Sequence, residues 1–258
     1  MARAWTEEER LAAMYLYCQL PFGRLHARTA EIIALADRMA RTPDSLAMKL
    51  VNFASLDPAL QARGIAGLSN ISAADRALWE RFLAAWTPMV TAAAGAYDRI
   101  MVGPPEPGER EEATERPPFW ETPEGPTTVS RLVAVRRGQS FFRDALMIGY
   151  EGKCCISGCD LPELLIASHI VPWADAPNLR LDPRNGLLLS ALHDRAFEAG
   201  HLAIEDDYTV IASRRARESR NALVREVVGG SHGRRLRLPA RFRPELSHLQ
   251  AHRARFLG

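Results

Sequence analysis

Apolar residues recur at helical spacing through the first 86 residues, and a polar start signal precedes each run. Thr6 followed by Glu9 has the pattern of a capping box, after which Leu11, Tyr15 and Cys18 share one face. A second helix is predicted over 30–40, with Ile33, Ala36 and Met39 or Ala40 turned inward. Thr42 then reads as an N-cap, Pro43 suits the first helical position, and Asp44 complements the positive helix end. Ser72 with Asp75 opens a further helix carrying Leu78, Phe82 and Trp86. No strand-like alternation interrupts this half, so 1–102 is expected to be an all-helical domain.

The pattern changes over 103–128, which holds seven Pro and seven Glu. Such a stretch buries too little apolar surface to offset its ordering entropy, and it reads as a linker or strap that Phe119 and Trp120 could dock. Beyond it, 139–150 is predicted helical, with Phe142, Ala145, Leu146 and Gly149 along one side. A Cys-rich turn (154–159), an apolar strand (164–170), a polar loop and a second apolar strand (186–190) follow. The second strand runs straight into a helix (191–199) ended by Gly200, and 208–212 is expected to be a third strand. The expected architecture is α+β, with a helical domain at 1–102, a linker at 103–128 and a second domain at 129–258.

Composition narrows the classes. No apolar run approaches the roughly 20 residues of a membrane helix, and the N-terminus has no signal-peptide core, so a cytoplasmic protein is expected. Only Lys49 and Lys153 among the 33 basic residues are lysine, a bias first ascribed to GC-rich codons. Where the arginines fall matters more: from Arg214 to Gly258 there are twelve against three Glu, a net of +9 that suits a polyanionic partner or a solvated tail.

Three residues carry candidate chemistry: His169 at the end of one strand, Asn185 at the start of the next and His193 on the following helix. Two strands and a helix in that order form a clip able to hold two imidazoles around one phosphate. A neutral imidazole can take a proton from water, a second can hold a divalent cation, and an Asn can pin the loop between them.

The motifs 168–173 (Ser-His-Ile-Val-Pro-Trp), 185–189 (Asn-Gly-Leu-Leu-Leu) and 192–200 (Leu-His-Asp-Arg-Ala-Phe-Glu-Ala-Gly) resemble the HNH (ββα-metal) endonucleases. The likeness extends upstream through 136–143 and 150–158. It implies His169 as the general base, Asn185 as the loop-fixing residue and His193 as a ligand for Mg²⁺, Mn²⁺ or Ni²⁺, with 5′-phosphate and 3′-hydroxyl products. Many members have Asp or His before the catalytic His, where this chain has Ser168, so Asp175 is a candidate second ligand. A four-thiolate zinc needs a second Cys pair, and none follows Cys159; the cysteines are therefore expected to be small buried thiols.

Trp5-Thr-Glu-Glu, Leu35-Ala36 and residues 41–53 together resemble a Myb/SANT-like helix-turn-helix, whose last helix would pack Leu46, Leu50 and Phe53 inward. Ser45, Met48, Lys49 and Asn52 would share the outer face and read DNA, the alternative being contact with the chain's own nuclease half or with a homodimer mate. Phe142 is expected to be buried, and Arg143 is either a core residue or a DNA contact. Together these readings imply a metal-dependent endonuclease of double-stranded DNA, of restriction or phage-defence type. The alternatives are a mobile-element or repair nuclease, and a DNA-binding regulator with an inactive HNH domain.

Overall fold

The computed structural model describes residues 3–64, 71–102 and 129–257, with backbone alone for 129–137, 139 and 257. The linker expected over 103–128, with Phe119 and Trp120, lies outside the described residues.

Helix α1 (Glu7–Gln19) begins with the capping box: Glu9 N donates to Thr6 Oγ1 at 3.2 Å and Thr6 N to the Glu9 carboxylate at 2.8 Å. Leu11, Ala12, Ala13, Met14, Leu16, Tyr17 and Cys18 are all buried, and a helix apolar on so many sides must be central. Helices α2 (Ala30–Arg38), α3 (Pro43–Ala54), α4 (Pro58–Gln61), α5 (Ala73–Ala84) and α6 (Trp86–Val102) complete the first half. α1 runs along α6 and touches α3, α5 and α7 (Val129–Gly149). The inward face of α2, continued by its C-cap Met39, is Ile32, Leu35 and Ala36; Ala36 and Met39 were expected there, whereas Ile33, also expected inward, is 45% exposed and Ile32 takes its place.

The second half holds two antiparallel pairs. β1 (Leu165–His169) pairs with β2 (Gly186–Ser190), setting Ser168 opposite Leu187 and His169 opposite Gly186. Leu187, Leu188 and Leu189 are all fully buried, as befits a strand covered on both faces. A Cβ on Gly186 would meet Leu146 at 2.6 Å and Phe142 at 2.8 Å, so only glycine lets α7 approach the strand this closely. Helix α8 (Ala191–Glu198) follows β2 without a break. β3 (Leu202–Ile204), β4 (Val210–Ala212), α9 (Arg214–Arg217) and α10 (Leu246–Leu257) are the remaining described strands and α-helices, and β3, α9 and α10 had no predicted counterpart.

The two halves share one continuous apolar core. Arg241, only 2% exposed, donates to Tyr17 O and Leu20 O, both at 2.7 Å, and so satisfies carbonyls that the end of α1 leaves unpaired. Arg184 Nη2 donates to Leu83 O at 2.8 Å, and Thr87 Oγ1 both donates to Asn178 O and accepts from Leu181 N. The loop between β1 and β2 is thereby bolted to α5 and α6.

That packing corrects the expectation of an outer reading face on α3. Lys49 and Asn52 are buried, and Lys49 Nζ donates to both carboxylate oxygens of Asp75 at 2.9 and 2.7 Å while lying 4.7 Å over the Trp5 ring. Ser45 is half-buried and Met48 is exposed, so α3 does not present these four residues together. A long amphipathic stem can hide its charge wherever a partner waits, and helical spacing alone cannot show where the partner is.

Candidate active site

β1 ends at the rim of a cavity of about 400 Å³ whose wall includes Ser168, His169, Trp173, Asp194, Glu198 and His252. His169 is held from two sides. Its ring lies flat on Phe142, 4.0 Å between centroids, and its Nε2 is 2.9 Å from Arg180 O. A carbonyl only accepts, so the neutral ring keeps its proton on Nε2 and its lone pair on Nδ1, which has no protein partner among the described residues. Burial holds the imidazole below its ordinary pKa of 6.5, against the backbone bond to Arg180 and assisted by that residue's positive charge. A neutral, oriented imidazole is the form a general base needs.

Asn185 is fully inside, 1% exposed, and closes the loop between the strands. Its Oδ1 accepts from Val171 N at 2.8 Å and its Nδ2 donates to Val171 O at 3.0 Å, while its backbone O accepts from Ile170 N. This side-chain ladder fixes the chain just after His169 and, through it, the segment that returns with Arg180.

His193 does not join them. It is 2% exposed, with Nδ1 at 2.7 Å from Ser190 Oγ and Nε2 at 3.2 Å from Ser231 Oγ. Ser231 Oγ already donates to Val227 O, so it accepts from His193 Nε2, and Ser190 supplies the hydrogen for Nδ1. Nε2 thereby ties α8 to the 3₁₀ turn Gly229–Ser231 while Nδ1 meets the residue that precedes α8, so both nitrogens have partners inside the protein. His193 is not in the cavity wall, whereas the next residue along α8 is. Asp194 turns to the cavity with Glu198, one helical turn on. Burial pushes the Asp194 carboxyl above its ordinary pKa, countered by a hydrogen bond from Ser168. Ser168 thus touches the acid that lines the cavity.

Two other expectations also change. Asp175 is exposed beyond Trp173 and is not part of the cavity wall. Arg143 donates to Leu165 O at 2.8 Å and Pro162 O at 3.0 Å, tethering the entry to β1. Phe142 is buried, as its spacing implied. Cys18, Cys154 and Cys155 are buried free thiols and Cys159 is half-buried.

Sequence reasoning missed Asp194 and His252. Asp194 was legible as the acid beside His193, but the phase of the helix could not be set to one residue. His252 carried no signal, being a His on a basic helix far along the chain. Its ring lies 3.6 Å from that of Phe197 and its Nε2 is 3.1 Å from Phe197 O.

The cavity's donors suit a divalent cation with an open coordination sphere. Asp194 is a carboxylate in a poorly solvated wall, which a cation would compensate, and Glu198 supplies a second acid nearby. No group of three His, Cys, Asp or Glu gathers as a metal cage among the described residues, so water and phosphate oxygens would complete the sphere.

Residues 154–205 match the family model described as HNH endonuclease, which supports a nuclease. The matched stretch runs from the Cys-rich turn through β1, β2 and α8 to just past β3. No curated protein matches the chain. Among the described residues no helix is long and apolar enough to cross a membrane.

Proposed function

We infer that the chain is a metal-dependent endonuclease that hydrolyses phosphodiester bonds of double-stranded DNA. The observation that carries this reading is a single cavity walled by both a neutral, oriented His169 and a poorly solvated Asp194 carboxylate, inside the matched stretch. His169 Nδ1 takes the proton of a water as that water attacks phosphorus, and Nε2–H stays on Arg180 O throughout, so the ring does not turn away. Asn185 holds the loop that supplies that carbonyl. Asp194, with Glu198 beside it, would hold a divalent cation such as Mg²⁺, Mn²⁺ or Ni²⁺. Bound there, the cation supplies charge stabilisation for the scissile phosphate and the departing 3′ oxygen. The bond that breaks is P–O3′, and the products carry 5′ phosphate and 3′ hydroxyl.

Cleavage of supercoiled plasmid with each of the three metals, against an EDTA control, tests the reading. Nicking or linearisation that His169→Ala abolishes supports it. Intact plasmid in all three metals, with DNA affinity retained, would instead leave a DNA-binding regulator. A restriction or phage-defence role is tested by comparing modified with unmodified DNA: equal cleavage of both removes it in favour of a mobile-element or repair nuclease.

A further inference from the structure

The residue whose carbonyl orients His169 also places a guanidinium beside it. Arg180 Nε donates to Trp173 O at 2.9 Å, and its Cζ lies 4.8 Å over the Trp173 ring. Trp173 meets the His169 ring edge-on, with centroids 5.5 Å apart. Imidazole and indole stand in the cavity wall, and the guanidinium lies against the indole just behind them.

Most half-buried or buried arginines of this molecule have their charge answered. Arg184 is paired with Asp182, Arg41 with Glu9 and Arg253 with Asp206, and Arg241 is wrapped by backbone carbonyls. Arg180 is half-buried, yet no carboxylate pairs with it and its Nη1 and Nη2 have no partner among the described residues. Its stem and Nε are fixed while the two outer nitrogens stay free. A planar fork held in that way suits two oxygens of a phosphate, and the geometry is set before the anion arrives.

We propose that Arg180 grips the non-bridging oxygens of the scissile phosphate through Nη1 and Nη2 while its own carbonyl holds His169 in line for attack. One residue would then couple the position of the base to the position of phosphorus. The inference rests on the nuclease reading of this cavity. Charge on those oxygens must be offset as the water attacks, so the contact acts mainly in the transition state.

Any substitution at 180 keeps the backbone carbonyl, so side-chain variants separate the guanidinium from the orientation of His169. Arg180→Gln is expected to lower the single-turnover cleavage rate about 10²–10³-fold, the cost of removing a preorganised donor to developing charge. Arg180→Lys, which keeps the charge but not the fork, should recover part of that loss. In the His169→Ala background, adding Arg180→Gln should weaken DNA binding only a few-fold. The deciding substrate is a duplex with a methylphosphonate at the mapped cleavage position, which removes a charged oxygen. Wild type should slow on it, and Arg180→Gln should slow no further than it already has. If the two losses instead multiply, or if Arg180→Gln and Arg180→Lys both cut at the wild-type rate, the proposal is overturned. His169→Ala, run in parallel, keeps the two readings apart: a wild-type rate there overturns the nuclease reading itself, whereas loss there with full activity in Arg180→Gln removes Arg180 alone.

Discussion

The cavity at the end of β1 and the seam beneath α8 each hold a histidine from the same sequence motif, and the two have been given opposite surroundings. In the cavity, His169 spends one nitrogen on Arg180 O, and the other has no partner among the described residues. In the seam, His193 spends both, on Ser190 and Ser231. The same contrast separates Arg180, whose outer nitrogens have no partner among the described residues, from Lys49, whose ammonium is bonded to both oxygens of Asp75. Residue type nominates a candidate; the bonding capacity left after folding decides whether it has anything to offer a substrate. A side chain with nothing left over is part of the scaffold, whatever its motif.

That contrast can be broken most directly at its strongest point. His169→Ala is expected to lower cleavage per folded molecule about 10²–10⁴-fold, because a general base is lost, while the lost Phe142 stack and Arg180 bond lower the melting temperature only modestly. Plasmid cleavage and a thermal melt measure both, and a rate within a few-fold of wild type would remove His169 from the chemistry. Lys49→Ala should do the reverse. It leaves the buried Asp75 carboxylate with the more distant Arg10 guanidinium at 3.6 Å, which costs up to about 3–5 kcal/mol and should appear as a drop in the urea midpoint. The folded fraction should cut with an unchanged pattern; an unchanged midpoint with a blurred pattern would restore Lys49 as a DNA reader.

His193→Ala should be milder than Lys49→Ala, costing about 1–3 kcal/mol because it leaves Ser190 and Ser231 short of a partner. Activity per folded molecule should stay within a few-fold. A loss of metal affinity in that variant, measured by calorimetry with Mn²⁺, would return His193 to the ligand set and displace Asp194.

Acid sharpens the comparison further. Burial lowers the pKa of His169, so the base stays neutral down through pH 6.5, and the acidic limb of cleavage should lie below that value. A limb at or above 6.5 would mean that another group titrates. The smallest effect concerns His252, brought down to about 4 by burial. Between 6.5 and 4 the unfolded chain binds a proton there that the folded chain refuses, so this contribution to stability is present above 6.5 and lost as pH falls toward 4. Urea midpoints at pH 7 and 5 should differ less in His252→Gln than in wild type.

Much of the local structure was legible because its causes are local. The capping box of Thr6 and Glu9, the start at Thr42-Pro43, and the inward Leu46, Leu50 and Phe53 depend on hydrogen bonds and periodicities within a few residues. The order strand, strand, helix, with His169 at its first corner and Asn185 at its second, is local in the same sense. What lay beyond reach were facts about partners distant in the chain. Asp75 meets Lys49, Ser231 meets His193, Arg241 meets the end of α1, and His252 reaches the cavity from α10. Ile33, exposed beside the buried Ile32, and the choice between His193 and Asp194 show the same limit at finer scale, since adjacent helix positions face different ways and spacing alone does not say which of them meets a partner.

The amino-acid sequence by itself determined which elements form and which motif sits at their junction, because capping, periodicity and turn chemistry act between near neighbours. Only the tertiary structure decided which nominated side chains keep a free lone pair or donor and which are consumed. Burial and long-range hydrogen bonding set that outcome, and they depend on contacts between segments that no spacing along the chain records.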